Sequence, residues 1–258
     1  MDGKDIPRAA VFARDIASRP LAAGISGSLG LPLYDAAPQG AAFPLVCAAE
    51  DGISLVCGAQ EIKGDFGRLL RRAHKSNLRE ELIVRAAKLK DVPRPKVIDA
   101  TAGLGEDSFL LAAAGCEVTL YERDGIIALL LEDALERAGK DPLTAEICSR
   151  MKLVRGDSIK ALREGARADV IFLDPMFPER EKTALVKKKL QLIQQLEPPC
   201  SDEAELFRAA FAARPRRIVV KRPPKGAFLA GKKPDYSLTG KAVRFDCYYL
   251  SELSVSSS

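Results

Sequence analysis

The stretch ADVIFLDPMFP, residues 168–178, runs an apolar strand into Asp174, Pro175, Met176 and Phe177, placing a carboxylate, a rigid imide and an aromatic ring close together. Those residue types suit chemistry at an exocyclic amine. Proline locks its own φ and keeps the preceding residue extended, so the Asp174 carboxylate and the Pro175 carbonyl are held in one arrangement. An amine conjugated with its heterocycle is a poor nucleophile. Hydrogen bonds from its two N–H groups to Asp174 and to the Pro175 carbonyl favour the pyramidal form that can attack an electrophilic methyl. Positioning and electrostatics then carry the rate. Phe177 offers a surface on which a base taken out of its stack can rest. Asp174, Pro175 and Phe177 are the candidate catalytic residues.

Such an amine needs a methyl donor, and a second stretch is suited to hold one. VIDATAGLGED, residues 97–107, is an apolar strand that breaks into a glycine turn and leads into an apolar helix. At the carboxyl end of a parallel strand, Gly103 and Gly105 let backbone amides approach a polar ligand. A dinucleotide fingerprint requires a third glycine three positions after the second, and Ser108 stands there instead. Asp99, Glu106 and Asp107 suit a ligand bearing a cationic ammonium and sulfonium, as S-adenosylmethionine does. The next strand, EVTLYER, ends at Glu122, placed to accept hydrogen bonds from ribose hydroxyls. A third, MKLVRGDS, ends at Asp157 and Ser158, which either read the adenine's exocyclic amine or form a simple turn.

These segments alternate strand and helix, as expected of an open, mostly parallel Rossmann-like sheet. Further helices are expected over 125–138, 183–195 and 202–213, and further strands at RRIVVKRPPK and VRFDCYYLSEL, with 226–241 a loop. Asp65 to Lys90 carries Leu69, Leu70, Leu78, Leu82, Ile83, Ala86 and Leu89 at helical spacing, predicting one or two amphipathic helices. His74 belongs to their basic surface. Residues 1–62 lack the alternation, and FPLVCAAEDGISLVC within them predicts a β-hairpin, so this part is expected to form a small accessory unit ahead of a catalytic domain over 63–258.

Composition bounds the partners. The 258 residues are 47% hydrophobic and 29% charged, enough for one large α/β domain with a small appendage. No apolar run approaches the roughly 18 residues needed to cross a bilayer, and the first residues do not resemble a secretory leader, so a cytoplasmic protein is expected. Six cysteines without CxxC spacing and one histidine offer no metal site. From Arg214 to Arg244 there are ten Lys or Arg and one acid, Asp235, a clustering that suits a polyanion. Lys221, Arg222 and Lys225 emerge at a strand end as candidate phosphate contacts, with Arg71 and Arg72 on the earlier basic helix.

Together, VIDATAGLGED, YER, LDPMFP followed by KTALVKKK, VVKRP and RFDCYY resemble the bacterial ribosomal small-subunit methyltransferase J family over roughly residues 65–250. The resemblance implies a seven-stranded class I methyltransferase sheet with a small N-terminal α/β appendage. It also implies methylation of the 2-amino group of a guanine in 16S rRNA, with naked rRNA or the 30S subunit as partner. Carried over by position, it implies cofactor contacts at Glu106, Asp107, Glu122, Arg123, Asp157, Ser158 and Asp174. The residues alone leave adenine or cytosine amines open, and also an RNA-binding or assembly protein that keeps the fold without turnover. In place of a glycine-rich turn after the paired arginines, this chain has His74-Lys75-Ser76-Asn77-Leu78-Arg79.

Overall fold

The computed structural model describes residues 8–38, 40–41, 43–175 and 202–250. Met176, Phe177 and the expected helix over 183–195 lie outside the described residues. Near the N-terminus, β1 (Ala10–Ala13) pairs in parallel with β2 (Leu33–Tyr34) and β3 (Leu45–Ala49). Between β1 and β2 runs α1 (Arg19–Leu29), opened by Pro20 and closed by Gly30 in the left-handed region at φ 63°. The expected hairpin is present as β3 and β4 (Gly52–Cys57), followed by β5 (Gln60–Ile62) to complete a five-stranded sheet in the order β2-β1-β3-β4-β5.

Residues 67–87 depart from the expected one or two helices. They form a 3₁₀ turn and three short helices, α2 (Leu70–Ala73), α3 (Lys75–Leu78) and α4 (Leu82–Ala87). The chain turns extended at His74 (ψ 139°) and at Glu81 (ψ 121°). Local polar contacts stabilise both breaks: the His74 ring accepts from the Ser76 amide, and Glu81 receives both prongs of the Arg72 guanidinium at 2.8 Å. Apolar spacing alone cannot reveal such breaks, because Leu69, Leu78, Ile83 and Ala86 still reach one core.

The main sheet contains β6 (Lys96–Asp99), β7 (Glu117–Glu122), β8 (Met151–Arg155), β9 (Val170–Leu173), β10 (Arg217–Arg222), β11 (Tyr236–Thr239) and β12 (Arg244–Tyr249). Its order is β11-β12-β10-β9-β6-β7-β8, seven strands as expected. Strands β8, β7, β6, β9 and β10 are mutually parallel, while β12 runs antiparallel to both β10 and β11. Part of the expected loop over 226–241 is strand, because Tyr236–Thr239 hydrogen-bonds to β12. Its alternate half-buried and exposed residues carry only a weak apolar signal among the lysines and glycines.

Helices α5 (Glu106–Ala113), α6 (Gly125–Lys140), α7 (Ala145–Cys148), α8 (Ser158–Arg163) and α9 (Glu203–Ala212) flank this sheet. Asp124 caps α6, its carboxylate accepting from the amides of Ile126 and Ile127 at 2.9 and 3.0 Å. The two sheets share α6. Its Ile126, Ile127 and Leu130 pack with Val46, Ala48, Ile53 and Leu55 of the N-terminal sheet, while Leu131, Ala134 and Ala138 join the core of the main sheet. Ile127→Ala removes a fully buried side chain from that junction and is expected to cost about 2–5 kcal/mol, read as a lowered urea midpoint. A midpoint within experimental error of wild type would mean that the N-terminal sheet does not rest on α6.

Candidate active site

Because five strands run parallel, their carboxyl ends meet along one edge. That edge carries Asp99 from β6, Glu122 from β7, Asp174 just after β9, and Lys221 from β10. The chain reverses its direction across the sheet at β6, which has β7 on one side and β9 on the other, and such a switch point opens a ligand crevice. Asp99 and Asp174 stand on its two sides.

The loop after β6 is built around Asp99, which is 1% exposed. Its carboxylate accepts the Thr101 amide at 3.1 Å and the Ser108 hydroxyl at 2.6 Å. Burial nevertheless pushes its pKa up to about 7 against these two hydrogen bonds. Gly103 and Gly105 both adopt positive φ, 54° and 73°. A Cβ on Gly103 would enter open space, whereas one on Gly105 would lie 2.8 Å from a Leu131 methyl. The outer face of the turn is therefore open and its inner face packed on α6.

Glu122 is fixed by two backbone donors, the Gly103 amide on Oε2 and the Asp124 amide on Oε1, each at 2.9 Å. Of the two acids opening α5, Glu106 is exposed and Asp107 half-buried. Asp157 is exposed and caps α8 by accepting the Ile159 amide at 2.8 Å, while buried Ser158 donates to the Ala100 carbonyl at 2.8 Å. Arg123 is exposed and pairs with Asp202 at the start of α9, 2.9 Å away.

The Asp174 amide donates to Thr101 Oγ1 at 2.6 Å, tying the end of β9 to the glycine loop; Pro175 is buried behind it. Sequence reasoning does not single out Thr101, nor Ser108 as the partner of Asp99. A hydroxyl among the apolar residues of a buried helix face is the available signal for Ser108. Phe177 lies outside the described residues.

The expected row of phosphate contacts divides. Lys221 faces inward, its Nζ 2.6 Å from Asp107 Oδ2 and 2.9 Å from Asp174 Oδ2. Burial opposes its charge, but the two carboxylates outweigh that and hold its proton more tightly than in an ordinary lysine. Arg222 is 6% exposed; its Nε donates to the Ala227 carbonyl at 2.8 Å and its guanidinium lies 3.7 Å from Glu203. Both candidate phosphate contacts thus turn inward, drawn by carboxylates and, for Arg222, by the Ala227 carbonyl. Lys225 and Arg71 are exposed, and Arg72 is held by Glu81.

Residues 55–250 match the family described as "Putative SAM-dependent methyltransferase". The chain is 46% identical over 240 residues to ribosomal RNA small subunit methyltransferase J of Thioalkalivibrio sulfidiphilus, covering 89% of this chain and 93% of that protein. It is 45% identical over 228 residues to the protein of that name in Pseudomonas aeruginosa, covering 85% and 86%. The chain belongs to the ribosomal RNA small subunit methyltransferase J family. A crystal structure of a SAM-dependent methyltransferase from Neisseria gonorrhoeae superposes with a TM-score of 0.74 at 30% identity, over 94% of this chain and 96% of that one. The fold is thus that of a class I methyltransferase.

The donor set fits the family's cofactor, S-adenosylmethionine. Open space lies beside Gly103, a fixed carboxylate stands at Glu122, and acids line the loop.

The raised pKa of Asp99 gives a stability prediction. In the unfolded chain this carboxyl titrates near its ordinary 3.8, and in the folded protein near 7, so the folded state binds more protons between those values. Its contribution is fully present below about pH 4 and is lost as pH rises through about 7. Asp99→Asn stays neutral, so between pH 5 and 8 the urea midpoint of the variant should gain on that of wild type. A constant difference across that range would show that Asp99 titrates as an exposed carboxyl.

Proposed function

We propose that this protein methylates the exocyclic 2-amino group of a guanosine in 16S rRNA, using S-adenosylmethionine. The observation that carries this reading is the hydrogen bond from the Asp174 amide to Thr101, which sets the Asp-Pro motif beside an acid-lined glycine loop at the sheet's switch point. The choice of RNA and base rests on the family to which the chain belongs and on its motifs. S-adenosylmethionine, when bound, supplies an electrophilic methyl on a sulfonium.

The protein's task is to hold a poor nucleophile in line. Glu122, Glu106, Asp107, Asp157 and Ser158 would hold the cofactor, with Asp99 organising the loop from within and Arg123 bracing it through Asp202. The Asp174 carboxylate and the Pro175 carbonyl accept the two N–H groups of the amine and orient its lone pair, with Phe177 proposed to stack on the base. With S-adenosylmethionine bound, its sulfonium would supply the methyl to the amine nitrogen held by Asp174 and Pro175 and would keep the electron pair of the broken bond, the amine losing one N–H proton to solvent. Bringing the base to this edge requires taking it out of its stack.

The test is to incubate the protein with methyl-labelled S-adenosylmethionine and 16S rRNA or 30S subunits lacking the modification, then digest the RNA and identify the labelled nucleoside. N2-methylguanosine is expected. Label on an adenosine or cytidine would overturn the base, and no label despite cofactor binding would favour an RNA-binding protein without turnover. Asp174→Ala should lower turnover by about 100-fold or more, in the range attributed to transition-state positioning and electrostatics. Turnover near wild type would remove Asp174 from the chemistry.

The outward cations carry a separate expectation. Lys225→Glu combined with Arg71→Glu should weaken RNA binding and reduce the slope of log K against log salt by roughly one for each phosphate that is no longer neutralised. An unchanged slope would take both residues off the RNA surface.

A further inference from the structure

Lys221 presents one ammonium to two carboxylates from different elements, Asp107 in the first turn of α5 and Asp174 at the end of β9. Its place follows from strand register. Val220 pairs with Leu173, so the next residues along the two parallel strands, Lys221 and Asp174, lie side by side. The Lys221 side chain lies at the carboxyl edge of the sheet and is three-quarters shielded from solvent.

We propose that Lys221 is a positioning residue for methyl transfer, clamping Asp174 against α5 in its ionised, hydrogen-bond-accepting form. This rests on the methyltransferase reading above. The need for a clamp follows from the charges that gather here. Asp99, Glu106, Asp107, Glu122 and Asp174 gather at one edge, and buried Asp99 holds its proton more tightly chiefly through burial, with the Asp107 and Asp174 charges adding to that. A protonated Asp174 would offer an O–H donor where the amine requires an acceptor. A lysine within 3 Å opposes that outcome, and its three donors let it serve both Asp107 and Asp174 at once.

The same pairing makes Asp174 a weak base. It orients the amine without removing a proton before the methyl arrives, consistent with an N-methylated aryl ammonium that sheds its proton to water unaided. The bridge also joins the cofactor loop to the catalytic strand, so disturbing α5 displaces the Asp174 carboxylate. RNA affinity is set elsewhere, by the exposed cations.

The experiment follows the Asp174 carboxyl carbon by NMR in protein labelled with ¹³C-aspartate, the signal being assigned by its loss in Asp174→Asn. In the wild type it should titrate below the ordinary aspartate value of about 3.9. In Lys221→Met it should move up by about 1–2 pH units, and Lys221→Arg should restore most of that shift. With RNA and cofactor saturating, Lys221→Met should lower kcat by about tenfold or more and move the acid limb of the pH–rate profile up by a similar 1–2 units, while KM for RNA changes less than about threefold. An Asp174 titration unmoved by Lys221→Met would overturn the proposal. So would an intact kcat accompanied by weaker RNA binding and a flatter salt slope, which would return Lys221 to the phosphate contacts. Lys221→Gln carries the same measurements if the methionine variant does not fold. The carboxyl titration needs no substrate, so it decides the clamp even if wild-type protein transfers no methyl to rRNA and the methyltransferase reading falls.

Discussion

A carboxylate at the end of an interior strand has little water to solvate it, and the glycine loop of this protein is shaped by that constraint. Asp99 is satisfied by the Thr101 amide and the Ser108 hydroxyl, and both contacts bend the chain after β6 back over the strand end. Once the turn is set, the Gly103 amide meets Glu122 and the Thr101 hydroxyl meets the Asp174 amide. Three neighbouring strands are thereby coupled through one loop. The two sides of the crevice, at Glu122 and at Asp174, are set by how a single buried acid is accommodated.

Helix α6 makes the outer framework possible. The segment GIIALLLEDAL is apolar around much of its circumference, unlike an ordinary surface helix, because one face covers the main sheet and another the N-terminal sheet. The Glu50-Asp51-Gly52 turn reaches the same helix, where a Cβ on Gly52 would lie 2.6 Å from Arg137 Nε. The five-stranded sheet is thus joined to the catalytic sheet through a shared core. Leu131, whose methyl limits the space behind Gly105, ties that core to the glycine turn.

The basic residues of the last third divide into two populations with different physics. Arg222 and Arg244 turn inward and hold the segment after β10 by its carbonyls: Arg222 binds Ala227 O, while Arg244 binds Pro224 O and Gly226 O and forms a two-pronged pair with buried Asp246. Removing one partner of such a buried pair strands the other charge. Lys225, carried on that segment, remains in water and is available to a polyanion. Net charge in this region therefore overstates the charge that a nucleic acid can meet.

Much of this was determined by the sequence itself. Apolar β-branched runs interrupted by glycine or proline located β6 to β10 and β12, because burial on both faces of a parallel strand leaves few other residue types possible. The Asp-Pro pair and the acid-lined turn were legible for a similar reason, since their residue types constrain the local geometry, and the structure brings them together through the Asp174 amide and Thr101. Tertiary structure alone decided the direction of each charge. Lys221, Arg222 and Lys225 look alike along the chain, yet register beside Asp174 turns the first inward, the Ala227 carbonyl and Glu203 hold the second, and the third is exposed to solvent. Likewise, β11 exists because β12 offers it an open edge, and the helix breaks at His74 and Glu81 depend on polar contacts that apolar spacing does not encode. Local backbone preference and burial leave a periodic trace in sequence. The pairing of distant polar groups leaves none, because its energy depends on a distance that only the folded chain sets.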